Sequence, residues 1–218
     1  MVTCSACGSK NAAEAKFCSE CGARLASASR PVEERKVVTI VFCDLVGSTA
    51  RAEQLDPEDV RAELSSYHAR VRSELERHGG TVEKFIGDAV VAVFGAPLVH
   101  EDDAERAVRS ALAIRDWALE EDAVDVRLAV NTGEALVSVD ARADEGLVAG
   151  DVINTAARLQ TAAPVNGILV GEKTYRATEG RIEYRDCRPV AAKGKQDPVS
   201  VWEAVSARSL FGVDVDLE

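Results

Sequence analysis

The sequence lacks the long hydrophobic segments and leader features of membrane and exported proteins. Its longest nearly apolar run, Ala89 to Val99, is interrupted by Gly95 and Pro97. That run is well short of the roughly 20 residues that a membrane-spanning helix needs. The N-terminus also lacks the charged-then-apolar order of a secretory signal peptide. Together these absences predict a cytoplasmic protein that does not insert into a membrane.

Basic and aromatic side chains are also scarce. There are 26 Lys and Arg against 37 Asp and Glu, giving a formal net charge of −11, and aromatic residues make up 5% of the chain. Proteins that bind nucleic acid need a surplus of positive charge and, for single strands, aromatic stacking platforms. The composition therefore argues against a protein that binds nucleic acid through a small zinc ribbon. It is compatible with a nucleotide substrate, because bound Mg²⁺ neutralises carboxylates and phosphates alike.

Several common sequence motifs are missing. The stretch from Gly171 to Thr174 lacks the glycine spacing and the Gly-Lys-Thr order of a Walker A loop. There are no heptads, low-complexity tracts or solenoid periods. His68, His78 and His100 have no partner pattern that would indicate a metal or catalytic site. We interpret these histidines as structural or surface residues.

Cysteine is concentrated at the N-terminus. Four of the six cysteines form two near-identical Cys-x-x-Cys-Gly turns: Cys4, Cys7, Cys18 and Cys21. Two such turns present four thiolates to one tetrahedral ion, which predicts a structural zinc site in a ribbon over residues 1–25. A redox Cys-x-x-Cys motif is the alternative, but it does not explain two copies. We expect Cys43 and Cys187 to be ordinary buried thiols.

Length and composition predict a small module followed by one larger domain. The chain has 218 residues, of which 46% are apolar, enough for a sizeable core. Residues 26–35 are small and polar and include Pro31, as expected of a linker. The main domain is predicted over 36–205. Residues 206–218 resemble a linker or tail, which suggests that the natural protein continues into a further domain.

Hydrophobic periodicity and turn signals predict the elements of the main domain. The predicted order is a strand over 37–43, a helix from Asp56-Pro57 to Gly79, a hairpin over 81–94, a helix over 101–119, strands over 125–130 and 134–139 joined by a turn at Asn131-Thr132-Gly133, a loop over 140–146, a helix over 151–161, and strands over 167–171, 181–186 and 199–205. This order predicts an α/β (α+β) ferredoxin-like sandwich with extra C-terminal strands.

Two carboxylates stand at the ends of predicted strands. Asp44 follows the first strand, and Asp88 lies in the Gly-Asp turn of the hairpin. Each alone is ordinary turn chemistry. In a ferredoxin-like order, however, the first strand lies beside the hairpin, so both carboxylates would share one edge and hold the same metal ions. Free backbone N–H groups of Gly47, Ser48 and Thr49 could donate hydrogen bonds to a phosphate beside these carboxylates.

Two further groups of residues have both a functional and an ordinary interpretation. Asn154 and Arg158 are four residues apart, so on a helix they project from one face. A solvent-facing pair is the ordinary alternative. Lys193-Gly194-Lys195 could hold a polyphosphate, but a basic surface loop has the same composition.

Three ordered motifs resemble the catalytic domain of class III nucleotidyl cyclases. They are Phe42 to Thr49, Glu83 to Asp88, and Gly150-x-x-x-Asn154-x-x-x-Arg158. The resemblance covers about 36–205, nearly the whole main domain. The N-terminal module is similar to the zinc ribbons attached to many bacterial cyclases.

The resemblance implies a metal-dependent adenylate cyclase that converts ATP to 3′,5′-cyclic AMP and pyrophosphate. Asp44 and Asp88 would bind two Mg²⁺ or Mn²⁺ ions, with the Leu45 carbonyl as a further ligand. Asn154 would orient the ribose, and Arg158 would stabilise charge on the α-phosphate.

The resemblance also implies how the substrate is bound. Lys84 would read the purine edge, where lysine favours adenine, and Lys193 would bind the terminal phosphates. Such sites form between two catalytic domains. A homodimer would therefore have two composite sites, with the aspartates from one chain and Lys84, Asn154 and Arg158 from the other.

One position departs from the family pattern. The second purine-reading residue, commonly Asp or Thr, is Leu147, which cannot accept a hydrogen bond from the adenine amino group. Two alternatives follow: a cyclase with relaxed ATP/GTP selectivity, and a non-catalytic or weakly active module that regulates an attached effector. A diguanylate cyclase is disfavoured, because its hairpin would read Gly-Gly-Asp/Glu-Glu-Phe where this chain has Ile86 to Ala89.

Overall fold

The computed structural model describes residues 1–12, 15–25, 33–48, 53, 55–121, 124–138, 147–190 and 198–208. The chain divides into two compact units, Met1–Val32 and Glu33–Glu218. In the first unit two short strands, β1 (Val2–Thr3) and β2 (Lys10–Asn11), pair antiparallel.

The second unit alternates helices and strands. Its elements are β3 (Glu33–Leu45), α1 (Pro57–Arg77), β4 (Thr81–Ile86), β5 (Ala89–Phe94), α2 (Asp103–Glu121), β6 (Val126–Ser138), β7 (Val148–Ala149), α3 (Asp151–Ala162), β8 (Ile168–Gly171), α4 (Glu172–Thr178), β9 (Ile182–Asp186) and β10 (Val201–Ala207). Within the described residues, no helix combines the length and the apolar character needed to cross a bilayer.

A single sheet organises this unit. Its strands lie in the order β4-β5-β3-β6-β8-β10-β9, and the short β7 pairs with β6. The first strand, β3, lies between the hairpin strand β5 and β6, antiparallel to both. This is the central position expected of the first strand in a ferredoxin-like order, so the predicted fold class is confirmed.

Helices cover both faces of the sheet. On one face, α1 and α2 pack with their apolar stripes inward, including Tyr67, Val71 and Leu75 of α1. On the other face, Val152 and Ala156 of α3 pack against the alternate side chains of β3 and β5. Because side chains alternate along a strand, β3 contributes to both cores. Cys43 belongs to the first face, as expected of a buried thiol, whereas Cys187 is only partly buried.

The prediction of a turn at residues 131–133 is wrong. β6 is one continuous strand, and it pairs with β3 over the whole length from Val126 opposite Leu45 to Ser138 opposite Glu33. Gly133 is explained by close packing, since a Cβ there would lie 3.2 Å from the Cβ of Val152. The glycine that suggested a turn instead lets α3 approach the sheet.

Several element boundaries also differ from the sequence prediction. β3 begins at Glu33, inside the stretch predicted to be a linker, because its first residues pair with the end of β6. β10 extends to Ala207, where it pairs with Ile182 of β9. The helix α4 was not predicted, since seven residues are too few to show a helical period.

Candidate active site

The register of the sheet brings Asp44 and Asp88 together. Cys43 pairs with Val90 across β3 and β5, so the next residue, Asp44, lies level with the start of β5. Asp88 is the second residue of the two-residue turn between Ile86 and Ala89. Gly87 takes φ of +64°, a conformation that glycine adopts without strain and that tightens this turn. The two carboxyl groups are close enough for the charge of Asp88 to act on Asp44.

Electrostatics at this pair favour a bound cation. The pKa of Asp44 is raised from 3.8 to about 6, first because the carboxyl is buried and then because Asp88 adds negative charge and a hydrogen bond. A hydrogen bond from Gln160 and the charge of Arg127 oppose this rise. Two neighbouring carboxylates resist ionising together unless a cation compensates them.

The donor chemistry fits hard divalent ions. Mg²⁺ and Mn²⁺ prefer oxygen ligands, and one or two carboxylates plus substrate phosphates form a usual magnesium set. Asp44 and Asp88 supply two carboxylates at one edge of the sheet, and Leu45, the last residue of β3, follows Asp44 directly. These residues are therefore suited to hold hard divalent metal ions.

Two residues at this edge were missed by the sequence analysis. Arg127 pairs opposite Asp44 in β6, and its buried Nε has no hydrogen-bond partner within the described chain. Gln160 of α3 donates from Nε2 to Oδ2 of Asp44 at 3.2 Å. Gln160 had a sequence signal, because it is a polar residue on the stripe of α3 that carries Val152 and Ala156.

The predicted phosphate loop leaves β3 beside the carboxylates. Val46 donates its N–H to the carbonyl of Asp125, whereas Gly47 is exposed to solvent and Ser48 is half-buried. Thr49, the third residue of this prediction, lies outside the described residues. So does Lys193, together with the rest of the predicted Lys193-Gly194-Lys195 group.

Asn154 and Arg158 both lie on α3, as predicted. Asn154 is exposed and Arg158 is half-buried. Among the described residues, neither side chain makes a hydrogen bond or ion pair. Within the described part of the chain their side chains are therefore unengaged, unlike the sheet-facing residues of the same helix.

The predicted base-reading residues lie on β4 and immediately before β7. Lys84 is exposed, and Leu147 is half-buried against the apolar cluster on the α3 face of the sheet. Glu83, next to Lys84 on β4, lies near the backbone of Leu147. Its buried carboxyl faces the backbone N–H groups of Val148 and Leu147, and burial raises its pKa despite those groups and the charge of Lys84.

The first unit carries a compact cluster of thiols. The Sγ atoms of Cys4, Cys7, Cys18 and Cys21 all lie within 4.8 Å of one another. The Sγ atoms of Cys4 and Cys21 are 3.6 Å apart, and those of Cys7 and Cys18 are 3.5 Å apart. A tetrahedral zinc ion bonded to four thiolates at about 2.3 Å requires sulfur separations of roughly 3.8 Å. The cluster therefore fits one zinc ion.

Both units match known families. Residues 31–203 match the adenylate and guanylate cyclase catalytic domain, and residues 3–25 match a zinc-ribbon domain. Among curated relatives, adenylate cyclase 1 of Rhizobium meliloti is 29% identical over 184 residues, covering 78% of this chain. An uncharacterized protein of Mycobacterium tuberculosis is 37% identical over 179 residues, covering 79% of this chain. The matched regions are only 28% and 33% of those relatives' lengths.

Solved structures give the same assignment. The adenylyl cyclase CyaB from P. aeruginosa superposes with a TM-score of 0.74 at 29% identity, covering 81% of this chain and 97% of the other. The guanylyl cyclase Cya2 superposes with a TM-score of 0.71 at 27% identity, covering 83% and 97%. The strand order, the paired aspartates and these matches agree: the chain belongs to the adenylate and guanylate cyclase catalytic domain family and carries an N-terminal zinc ribbon.

Proposed function

We propose that the protein is an adenylate cyclase that forms 3′,5′-cyclic AMP and pyrophosphate from ATP. The observation that carries this proposal is the meeting of Asp44 and Asp88 at one edge of the sheet, with the pKa of Asp44 raised to about 6. An edge that gathers negative charge is suited to divalent cations and to a polyphosphate bound through them.

The aspartates and the Leu45 carbonyl would hold two Mg²⁺ or Mn²⁺ ions. When bound, such ions lower the pKa of the ribose 3′-hydroxyl and neutralise charge on the polyphosphate. In the reaction the 3′ oxygen forms a bond to the α-phosphorus, the bond from that phosphorus to the bridging oxygen breaks, and pyrophosphate leaves. The hydroxyl proton passes to solvent.

Other residues would bind and orient the nucleotide. Arg127 lies opposite Asp44, and its positive charge at this edge suits it to the polyphosphate. The N–H groups around Gly47 and Ser48 would add hydrogen bonds to phosphate. Asn154 would orient the ribose, and Arg158 would stabilise charge that grows on the α-phosphate.

Lys84 and Lys193 complete the proposed substrate contacts. Lys84 would read the adenine edge, and Lys193 would bind the terminal phosphates. A cytoplasmic location is part of the same proposal, since ATP is available there and thiols stay reduced.

A homodimer would complete the site. Asn154 and Arg158 have no partners among the described residues of their own chain, which supports their use by a second copy. Each composite site would then combine Asp44 and Asp88 of one chain with Lys84, Asn154 and Arg158 of the other.

The direct test is cyclic AMP formation by the purified protein with ATP and Mn²⁺ or Mg²⁺. Asp44→Ala should reduce the rate at least about a hundredfold, because it removes a metal ligand. Asp186→Ala, an exposed carboxylate at the end of β9, is the matched control and should retain the rate. Absence of product from the unaltered protein, or full activity of Asp44→Ala, would overturn the proposal.

Mixing inactive chains tests the composite site. Asp44→Ala and Arg158→Ala homodimers should each be inactive, whereas heterodimers of the two should have one complete site. Random pairing makes about half the dimers heterodimeric with one of two sites intact, so about a quarter of the normal rate should return. No recovery in verified heterodimers would exclude this division of residues.

Leu147 supports a second candidate, a cyclase with relaxed selectivity between ATP and GTP. Its side chain packs into an apolar cluster and offers no acceptor to the adenine amino group. Comparable rates with ATP and GTP would favour this candidate. Nucleotide binding with no cyclic product from either would instead favour a regulatory module that controls an attached effector.

A further inference from the structure

Gln160 is a polar residue on the buried stripe of α3. The residues of this stripe that face the sheet include Val152, Ala156 and Leu159, all apolar. Gln160 is only 8% exposed. Burying an amide without a hydrogen-bond partner costs free energy. The hydrogen bond that Gln160 makes therefore helps to fix the position of α3 on the sheet.

The partner of Gln160 is Asp44. Nε2 of the amide donates to Oδ2 of the carboxyl at 3.2 Å, across 116 residues of sequence. An amide donor orients a carboxylate without carrying a charge that would compete with a metal ion. A lysine or arginine in the same place would neutralise the carboxylate and weaken its attraction for a cation.

The same helix also carries Asn154 and Arg158. Arg158 is two residues before Gln160, and residues two apart do not face the same side of a helix. One side of α3 is therefore fixed to Asp44, and another side presents Arg158 without a partner among the described residues. In the composite arrangement these two sides serve different active sites.

We propose that Gln160 is a positioning residue that holds Asp44 for metal binding in the site to which its own chain supplies the aspartates. The inference rests on the proposed function. In this role Gln160 acts through its hydrogen bond to the Asp44 carboxyl and not through a contact of its own with nucleotide or metal. Groups that orient metal-binding carboxylates typically change metal affinity by about 10- to 100-fold when removed.

The first experiment measures metal binding without turnover. Mn²⁺ is titrated into the full chain, preloaded with one equivalent of Zn²⁺, and free Mn²⁺ is followed by electron paramagnetic resonance. Gln160→Met keeps the length of the side chain and removes its donor, and it should weaken Mn²⁺ binding by about tenfold. Thr161→Ala is the matched control, because among the described residues the Thr161 hydroxyl bonds only the Ala157 carbonyl of its own helix. Unchanged Mn²⁺ affinity in Gln160→Met would overturn the proposal.

The second experiment separates positioning from a structural role. In heterodimers of Asp44→Ala and Arg158→Ala chains, the complete site uses Asp44 of the Arg158→Ala chain. Gln160→Met added to that chain should raise the half-saturating Mn²⁺ concentration for cyclic AMP formation by about tenfold, with the KM for ATP unchanged at saturating Mn²⁺. The same change in the Asp44→Ala chain should leave both values unaltered.

The two arms give distinct outcomes. If Gln160→Met raises the half-saturating Mn²⁺ concentration equally in either chain, Gln160 only supports the fold. If the rise occurs only when the change is in the Asp44→Ala chain, Gln160 acts through Arg158. Either result overturns the proposal. If heterodimers with Gln160 intact are inactive, the composite site itself fails. The Mn²⁺ titration on the single variant still decides the role of Gln160 in that case.

Discussion

The hydroxyl of Tyr67 lies 3.2 Å from the sulfur of Cys43, the residue immediately before Asp44. Both side chains are buried, and burial raises the pKa of Cys43 to about 12. The thiol is therefore neutral, and the contact is a hydrogen bond between uncharged groups. It ties α1 to β3 at the base of the candidate metal site.

We expect Tyr67→Phe to lower the free energy of unfolding by about 1 kcal/mol, the typical contribution of one neutral hydrogen bond. Urea denaturation of Tyr67→Phe, Cys43→Ala and the double variant measures the coupling between the two residues. The cycle should give a coupling of about 1 kcal/mol, and additive effects would show that the contact contributes nothing.

The burial of Asp44 and, second, its repulsion from Asp88 predict a pH-dependent stability in the absence of divalent cations. The pKa of Asp44 in the folded chain is about 6, above its usual 3.8. The folded state thus holds this proton more tightly than the unfolded state. Its stabilising effect is complete below pH 3.8 and is lost as the pH rises through about 6.

Asp44→Asn cannot ionise and should remove this part of the pH dependence. In buffers free of Mg²⁺ and Mn²⁺, its thermal midpoint should exceed that of the unaltered chain at pH 7 and approach it at pH 4. Asp186→Asn, at an exposed strand end, is the control and should keep the original profile. An unchanged profile in Asp44→Asn would show that the carboxylate pair does not oppose folding.

The parts of the site that follow from local pattern were predictable from sequence. The nearly continuous apolar run from Val37 to Cys43 predicted the strand before Asp44, and the Gly-Asp turn predicted the hairpin tip at Asp88. Only the order of four elements was then needed to bring the two residues to one edge. The placement of Asn154 and Arg158 on one face likewise follows from the period of a single helix.

The residues that were missed depend on packing between elements. Arg127 lies opposite Asp44 because β3 and β6 pair in one particular register, and that register extends through residues 131–133 where a turn was predicted. Gln160 reaches Asp44 because α3 approaches the sheet on the face where it packs against β3. Neither the register nor the approach can be read from a local sequence window.

Removing one cysteine of the thiol cluster should abolish zinc binding. Cys18→Ser is expected to reduce bound zinc from about one equivalent to nearly none, because a structural site needs all four ligands. Elemental analysis measures the loss. Cys187→Ser is the matched control, since this thiol lies outside the cluster and should leave the zinc content unaltered. Full zinc content in Cys18→Ser would show that the four thiols do not hold the ion.

The choice of base can be tested at Leu147. If the proposed reading of the purine edge is right, Leu147→Asp restores an acceptor for the adenine amino group. One such hydrogen bond contributes about 1–3 kcal/mol, so the ratio of kcat/KM for ATP to that for GTP should rise about tenfold or more. Rates with both nucleotides at saturating Mn²⁺ provide the measurement.

Leu147→Val is the matched control for that experiment. It shortens the side chain in the same apolar cluster but adds no acceptor, so the ATP to GTP ratio should stay the same. Because an aspartate in this half-buried position also costs packing, both variants are compared by the ratio and not by the absolute rate. An unaltered ratio in a folded Leu147→Asp protein would mean that residue 147 does not face the base. Base selection would then rest on Lys84 or on the neighbouring Glu83, whose buried carboxyl faces the backbone of Leu147 and Val148.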